Sequence, residues 1–311
     1  MLIGHISDLH VLDLTDVRPW QFANKRMAGG LNLLLGRARH HREALLEAAL
    51  VKMGDLGVEH VVLSGDLSNL SFPCEFNHVG DLLRKYGEAE RYTIVPGNHD
   101  RYTFSSLLGS TFERSLSDFV NQSTAVEETA RWELGEWSWP RLRLFEDVAL
   151  IALDSASHQP PVFSGGRIGR HQRQRLRALL ESEQLGERYR VVVLHHPLRP
   201  PPHRRFDWGR GLSDRRALLK LCREGGVDLV MHGHNHCFQL ARMGGVLVCE
   251  AGSVSASEPK HERHRAKFVC YQIEGGRLVR LTSWVHRGAS GFVENVQWSP
   301  GQPLPEFGDG G

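Results

Sequence analysis

The 311-residue sequence lacks the features that mark several large classes of protein. Its five cysteines are odd in number and form no Cys-x-x-Cys pair, which argues against a disulfide framework and a thiolate metal site. No apolar run reaches the roughly 18 residues that a membrane-spanning helix needs. The net charge of +2 is too small to suggest nucleic-acid binding. These absences favour a globular protein with reduced thiols.

The amino terminus also lacks a targeting signal. Residues 1–5, Met-Leu-Ile-Gly-His, lead directly into an apolar run, without the basic segment and apolar core of a signal peptide. We therefore expect a mature protein that starts at Met1 and stays in the cytoplasm.

Histidine, in contrast, is abundant, and six of the 18 histidines lie in short polar blocks. The blocks are, in chain order, Asp8-Leu9-His10, Gly65-Asp66, Gly97-Asn98-His99-Asp100, His195-His196 and Gly233-His234-Asn235-His236. Each follows an apolar run of β type, so the sequence predicts five strand ends that bring carboxylates, imidazoles and one amide to a common rim.

The order of the apolar patterns predicts an α/β fold. Strand patterns at 59–64 and 91–95 alternate with helical patterns at 38–53 and 76–86, which is typical of βαβ units and a largely parallel sheet. Open sheets of this kind place their sites at the carboxyl ends of the strands. Further helices are expected at 172–183 and 213–224, before a β-rich part with a Gly275-Gly276 hairpin turn.

We expect one catalytic domain over residues 1–287, with insertions at about 18–42 and 103–140. The remaining residues, 288–311, are rich in glycine, proline and serine, and this composition predicts a poorly ordered extension.

The polar blocks contain ligands for two divalent cations. Asp8 and His10 share one face of an extended chain, because residues i and i+2 point to the same side. The two oxygens of Asp66 suit a bridging role, while Asn98 offers a carbonyl oxygen. Nitrogen and oxygen ligands favour manganese, iron, zinc or cobalt. Two such ions are the arrangement used for in-line displacement at phosphorus, so we expect a phosphoester or phosphoanhydride hydrolase.

Together these blocks resemble the five-part signature of the calcineurin-like metallophosphoesterases, complete over residues 8–236. The resemblance implies a four-layer sandwich of two mixed β-sheets flanked by helices. It implies one metal ion on Asp8, His10 and His236, a second on Asn98, His195 and His234, and Asp66 as the bridge. It also implies attack by a metal-bridging hydroxide. His99 would contact the phosphoryl oxygen or protonate the leaving group, and Asp100 would orient His99.

Within this family, the protein Ser/Thr phosphatases continue Gly-Asp with Asp-Arg-Gly, whereas this chain continues with Leu67-Ser68. The blocks are most similar to those of class III cyclic nucleotide phosphodiesterases. We therefore expect hydrolysis of a small phosphodiester such as a 3′,5′-cyclic nucleotide. Similar blocks occur in UDP-2,3-diacylglucosamine hydrolases, so a pyrophosphohydrolase of a nucleotide-linked lipid is the alternative. A non-catalytic scaffold of the same fold is a third hypothesis, against which the intact blocks argue.

Two segments outside the blocks are candidates for substrate contact. Arg199, His203 and Arg204 follow a ligand strand and either bind a substrate phosphate or form a solvated basic loop. Residues 20–42 combine apolar and basic side chains, and three interpretations stay open: a lid over the site, ordinary packing, or an interfacial segment that touches a membrane or a lipid substrate. The second basic run, at 260–265, is expected to be a solvated loop.

Overall fold

The structure, a computed structural model, describes residues 1–23, 26–27, 41–108, 110–122, 124–125, 139–157, 163–198, 209–257 and 262–304. The strands are β1 (Leu2–Ile6), β2 (His60–Leu63), β3 (Tyr92–Ile94), β4 (Thr124–Ala125), β5 (Arg141–Leu144), β6 (Val148–Ala152), β7 (Tyr189–Val193), β8 (Leu229–His232), β9 (Gln239–Met243), β10 (Val246–Glu250), β11 (Lys267–Glu274), β12 (Arg277–His286) and β13 (Phe292–Trp298). The α-helices are α1 (Glu43–Asp55), α2 (Pro73–Arg84), α3 (Phe104–Leu108), α4 (Thr111–Ser115), α5 (Ser117–Val120), α6 (Arg170–Leu180) and α7 (Arg215–Glu224). None of the described helices is long and apolar enough to cross a membrane.

The first sheet has the strand order β13-β12-β11-β1-β2-β3. Strands β1, β2 and β3 are parallel, and α1 and α2 connect them, as the alternation of patterns predicts. The other strands add in antiparallel fashion, so the sheet is mixed. Gly275 and Gly276 form the tight turn between β11 and β12 with φ of +52° and +68°, a conformation that glycine adopts without a steric penalty.

The second sheet has the order β4-β5-β6-β7-β8-β10-β9. The four central strands, β6, β7, β8 and β10, are parallel. Strands β4, β5 and β9 are antiparallel to their neighbours. The expected architecture of two mixed sheets flanked by helices is therefore confirmed.

Both faces of the second sheet are buried, which fixes the ends of its strands. Along β7, Val191 and Val193 belong to an apolar cluster shared by both sheets. Val192 and the following Leu194 belong to a second cluster with α6 and α7. Because successive side chains of a strand point to opposite faces, a strand buried on both faces is apolar throughout. The chain emerges from this packing at His195, so the site begins on a rigid base.

The expectation of a poorly ordered chain after residue 287 is wrong for Phe292–Trp298. These residues form β13, the edge strand of the first sheet, and its terminal aromatic side chains are buried. A shift of register between Ser283 and Trp284 of β12 accompanies the pairing. The glycine and proline residues on both sides hide this seven-residue strand in the composition. The inner parts of the two expected insertions, 28–40 and 126–138, lie outside the described residues.

The strand β13 provides a stability prediction. Trp298 is 3% exposed, and its indole N–H donates to the Gln302 carbonyl at 3.1 Å. We expect Trp298→Ala to lower the free energy of unfolding by about 3–5 kcal/mol, because it opens a cavity at the sheet edge. Val293→Ala is the matched control on the same strand, since Val293 is 38% exposed, and we expect a change of about 0.5 kcal/mol or less. Urea denaturation measures both, and equal effects would contradict a buried role for Trp298.

Candidate metal centre

The predicted site residues lie where the carboxyl ends of the parallel strands of both sheets meet. Backbone hydrogen bonds hold neighbouring strand ends in register just beyond the regular strands. Asp8 N donates to Gly65 O at 3.0 Å, and Gly233 N donates to His195 O at 3.1 Å. The loops that follow β1, β2, β3, β7 and β8 therefore face one another across a small volume.

The backbone at these loops has an unusual conformation. The described residues include eight non-glycine residues with positive φ, and five of them are predicted metal ligands. These five are Asp8 (55°), His10 (50°), Asp66 (55°), His234 (84°) and His236 (58°). L-residues avoid this region, at a cost of about 1–3 kcal/mol each, so the surrounding structure must hold the loops in place.

One group of donors contains Asp8, His10 and His236. The Nε2 atoms of His10 and His236 are 3.1 Å apart, and Asp8 Oδ1 lies 3.3 Å from His236 Nε2. Asp66 Oδ2 is 3.8 Å from His10 Nε2. These separations are those of atoms that share one cation at ordinary bond lengths of about 2.0–2.2 Å.

A second group contains Asn98, His195 and His234. Asn98 Oδ1 lies 2.9 Å from His234 Nδ1 and 3.2 Å from His195 Nε2. Asp66 Oδ2 is 3.4 Å from the same His195 nitrogen. Asp66 therefore touches both groups, and all seven predicted ligands come together as two adjoining donor sets.

The chemistry of these donor sets fits divalent cations. Burial and neighbouring imidazoles hold the pKa of His10 and of His234 well below the ordinary histidine value, which keeps the neutral form that a metal ligand requires. The Nε2 atoms of His10 and His236 face each other at 3.1 Å, so without a cation only one of them can carry a proton. A cation between them would accept a lone pair from each nitrogen.

The electrostatic field of the buried carboxylates also favours a bound cation. Burial opposes a charged His195, but the nearby Asp66 and Asp8 carboxylates outweigh it and raise the His195 pKa to about 9. The region therefore favours positive charge strongly. His195 Nδ1 donates to Ser64 O at 2.8 Å, which fixes the ring and leaves Nε2 facing Asp66 and Asn98.

His99 lies beside the first donor group. Its backbone N–H donates to Asp66 Oδ1 at 2.7 Å, and its Nδ1 donates to Asn69 O at 2.7 Å. The ring stacks on Tyr102 with centroids 5.4 Å apart and meets His10 edge-on at 4.8 Å. His99 is thus oriented by the backbone and lies against the donor set.

The hydrogen bonds described for Asp100 go to the backbone and to Ser68, so its role in orienting the His99 ring stays a prediction. Its buried carboxylate accepts hydrogen bonds from the backbone N–H groups of Leu67, Ser68 and Gly97 at 2.8–3.1 Å, and from Ser68 Oγ at 2.9 Å. Asp100 therefore joins the loop that carries Asp66 to the loop that carries Asn98. Burial, together with the Asp66 charge, raises the Asp100 pKa to about 6. It is a positioning residue.

Two further buried carboxylates were missed by the sequence analysis. Glu250, at the end of β10, accepts from Asn235 N at 2.8 Å and Asn235 Nδ2 at 3.0 Å, so it holds the loop between His234 and His236. Glu75 accepts from the backbone of residues 69, 70 and 72, beyond Asp66. Burial raises the pKa of Glu250 well above its usual value and that of Glu75 to about 8. The sequence analysis missed both because a single glutamate outside the five blocks matches no motif.

The remaining candidates divide in three ways. His196 turns to Ser155 Oγ (2.9 Å) and Ser164 O (3.0 Å), in agreement with a structural role. His41, which no motif indicated, lies beside His10 with ring centroids 4.4 Å apart. The expected substrate contacts Arg199, His203 and Arg204 lie outside the described residues.

Two adjoining sets of nitrogen and oxygen donors on an α/β sandwich define a dinuclear metal centre. The sequence profile of the calcineurin-like phosphoesterases matches residues 1–238, and the chain belongs to this family. It is accordingly a metal-dependent phosphoester hydrolase that uses two divalent metal ions. No curated protein sequence matches the chain.

Solved structures with a similar fold include a dimetal phosphatase from Danio rerio, at 16% identity and a TM-score of 0.60, covering 96% of this chain and 98% of that one. A purple acid phosphatase from yellow lupin seeds has 12% identity and a TM-score of 0.59, covering 96% of this chain and 53% of that one. GAP50, described as the anchor in the inner membrane complex of Plasmodium, has 12% identity and a TM-score of 0.55, covering 96% and 88%. At these identities the likeness establishes the fold alone.

Gly97 offers a test of how tightly the centre is built. A Cβ at Gly97 would overlap Oδ1 and the backbone nitrogen of Asp66, so we expect Gly97→Ala to displace this carboxylate and to lower the metal content. Gly54→Ala in α1 is the control, because its Cβ would meet no atom within 4 Å and should stabilise the helix by about 0.5–1 kcal/mol. Elemental analysis after desalting gives the metal content per chain of both variants. Thermal unfolding followed by circular dichroism checks their folding and stability. Full metal occupancy in a folded Gly97→Ala protein would contradict the close fit.

Proposed function

We propose that this chain is a phosphodiesterase that hydrolyses a small phosphodiester, such as a 3′,5′-cyclic nucleotide, in the cytoplasm. The observation that supports it most is the pair of donor groups with Asp66 in common, because two adjoining cations suit the in-line displacement of an alkoxide from phosphorus. In this proposal Asp8, His10 and His236 hold one ion, Asn98, His195 and His234 hold the other, and Asp66 holds both.

The ions, when bound, supply an activated water and neutralise charge on the phosphoryl oxygens. The protein supplies the geometry of the reaction. Asp100 and Glu250 fix the loops that carry the ligands, so the donors need little rearrangement when substrate binds.

His99 is the proposed general acid. Its Nδ1 proton is committed to Asn69 O at 2.7 Å, so the proton available for transfer to a leaving oxygen is that on Nε2 of the imidazolium form. The ring lies edge-on to His10, and His99 as a whole is only 9% exposed, so it lies beside the donor set and is largely buried.

The charges around the centre support a diester rather than a monoester. In the described part of the chain, the ion pairs of Asp8 and Asp66 involve histidines only. Arg101, directly after the third block, is paired with Glu113 and Asp154. A monoester dianion gains more from extra arginine or lysine contacts than a diester does, because a diester carries a single negative charge.

Two variants separate a metal ligand from a proton donor. We expect Asp66→Ala to lose the metal ions and the activity together, because it removes the residue common to both groups. His99→Ala should keep its metal content but lose about 10²–10⁴-fold in turnover, the usual contribution of a positioned acid. The loss should be smaller for p-nitrophenyl esters, whose leaving group needs no proton. Metal analysis and kcat on both substrate types decide this, and a metal-free His99→Ala protein would make His99 a ligand instead.

The substrate class is tested on matched p-nitrophenyl compounds in Mn²⁺. We expect kcat/KM for bis-p-nitrophenyl phosphate to exceed that for p-nitrophenyl phosphate, and we expect turnover of 3′,5′-cyclic AMP. Chelation should abolish the activity, and Mn²⁺ should restore it. Equal or faster monoester hydrolysis would move the chain toward the phosphatases, and full activity without metal would end the proposal.

A pyrophosphohydrolase of a nucleotide-linked lipid is the second candidate, and one observation favours it. Leu14, Trp20 and Met27 are 44%, 65% and 69% exposed, so the segment after the first ligand block presents apolar side chains to solvent. An acyl chain is one occupant of such a surface. A strong preference for an acylated UDP-sugar over its deacylated form, lost in Trp20→Ala, would favour this candidate over the diesterase.

A further inference from the structure

We propose that His41 is a further metal ligand, for the ion that Asp8, His10 and His236 would hold. This inference depends on the dinuclear centre of the proposed function and goes beyond the five sequence blocks. His41 comes from the segment at 18–42, not from any strand end, so it would tie a part of the chain outside those blocks to the metal.

The first support is the position of the ring. Its centroid lies 4.4 Å from that of His10 and 5.6 Å from that of His236. One nitrogen from each of the three imidazoles lies within 4.8 Å of the others. Donors on opposite sides of one cation are about 4.0–4.4 Å apart at ordinary bond lengths, so a shift of a few tenths of an ångström completes the set.

The second support is how the backbone is fixed at this residue. His41 forms a β-bridge with Ala256, and Arg42 N donates to Ser255 O at 2.8 Å. The Ser255 hydroxyl in turn donates to Leu9 O at 2.6 Å, between the two ligands of the first block. The position of His41 is therefore set by the same wall of the site that carries Asp8 and His10.

The third support is the tautomer. Ser255 Oγ gives its single proton to backbone carbonyls of the first block, so in its 2.7 Å contact with His41 Nδ1 it must accept. His41 Nδ1 then carries the proton, and Nε2 carries the lone pair. Histidine ligands of metals are usually held by such a hydrogen bond from the other ring nitrogen. His195 has the same arrangement through Ser64 O.

A packing role for His41 makes a different prediction from a ligand role. His41→Phe fills the same space with a ring that has no lone pair, whereas His41→Ala also removes the packing. His171, an exposed histidine on α6, provides the matched control His171→Ala, which removes one imidazole from the surface.

The test uses the full chain loaded with Co²⁺ and measures metal binding rather than turnover. We expect wild type to hold two ions. His41→Phe and His41→Ala should bind one of them at least about 10–100-fold more weakly in competition with a chelator, because loss of a mere outer-shell partner of a ligand already weakens metal binding by that amount. The visible absorption spectrum of the Co²⁺ protein should change in both variants, because the ligand field of that ion changes. His171→Ala should match wild type in affinity and spectrum.

The outcomes separate this inference from the proposed function. Two wild-type ions together with unchanged affinity and spectrum in His41→Phe would overturn the ligand role alone, and a fall in turnover without those changes would make His41 a substrate contact instead. A wild-type chain that binds no metal would end the proposed function as well. If His41→Phe does not fold by circular dichroism, the same comparison is made with His41→Ala.

Discussion

The buried carboxylate of Asp66 lies between two groups of nitrogen and oxygen donors, and much of the surrounding structure serves to keep it there. The Asp66 loop follows β2 with positive φ, and neighbouring Gly97 leaves room for it because a Cβ would occupy the same space. Asp100 joins the two loops through backbone N–H groups. Two adjoining sets of buried nitrogen and oxygen donors that share this carboxylate fit a cation-binding centre, because a cation accepts lone pairs from all of them at once.

The unfavourable free energy of the strained and buried groups at this centre is offset by the apolar packing of the sheets beneath it. Five ligands with left-handed backbone and several buried carboxylates are each unfavourable by amounts of the order of kcal/mol. The two apolar clusters, which bury both faces of β6 and β7, provide the compensating stability. Cations that bind the folded chain and not the unfolded chain stabilise it further by mass action, so metal and fold are thermodynamically linked.

The ligands at the strand ends can be predicted because their position in the fold follows from a local pattern in the sequence. That pattern is an apolar run followed by a short polar block, and it is visible for Asp8, Asp66 and His195. The edge strand β13 is hidden because seven residues between glycine-rich flanks form a weak pattern. His41 is hidden for another reason: it meets Ser255 across 214 residues of chain, and no local pattern records such a pairing.

The same distinction explains why the sequence determines the reaction class better than the substrate. The ligands act on the phosphoryl group, which all substrates of the class share, whereas the rest of a substrate contacts the rim. Near His236, the segment before β11 approaches the site, since His264 Nδ1 lies 3.3 Å from His236 O. In the segment that follows His10 along the chain, Trp20 and Met27 are exposed. A cyclic nucleotide and a nucleotide-linked lipid share the phosphoryl group and differ away from it, so the residues that distinguish them lie outside the five ligand blocks, where no motif identifies them.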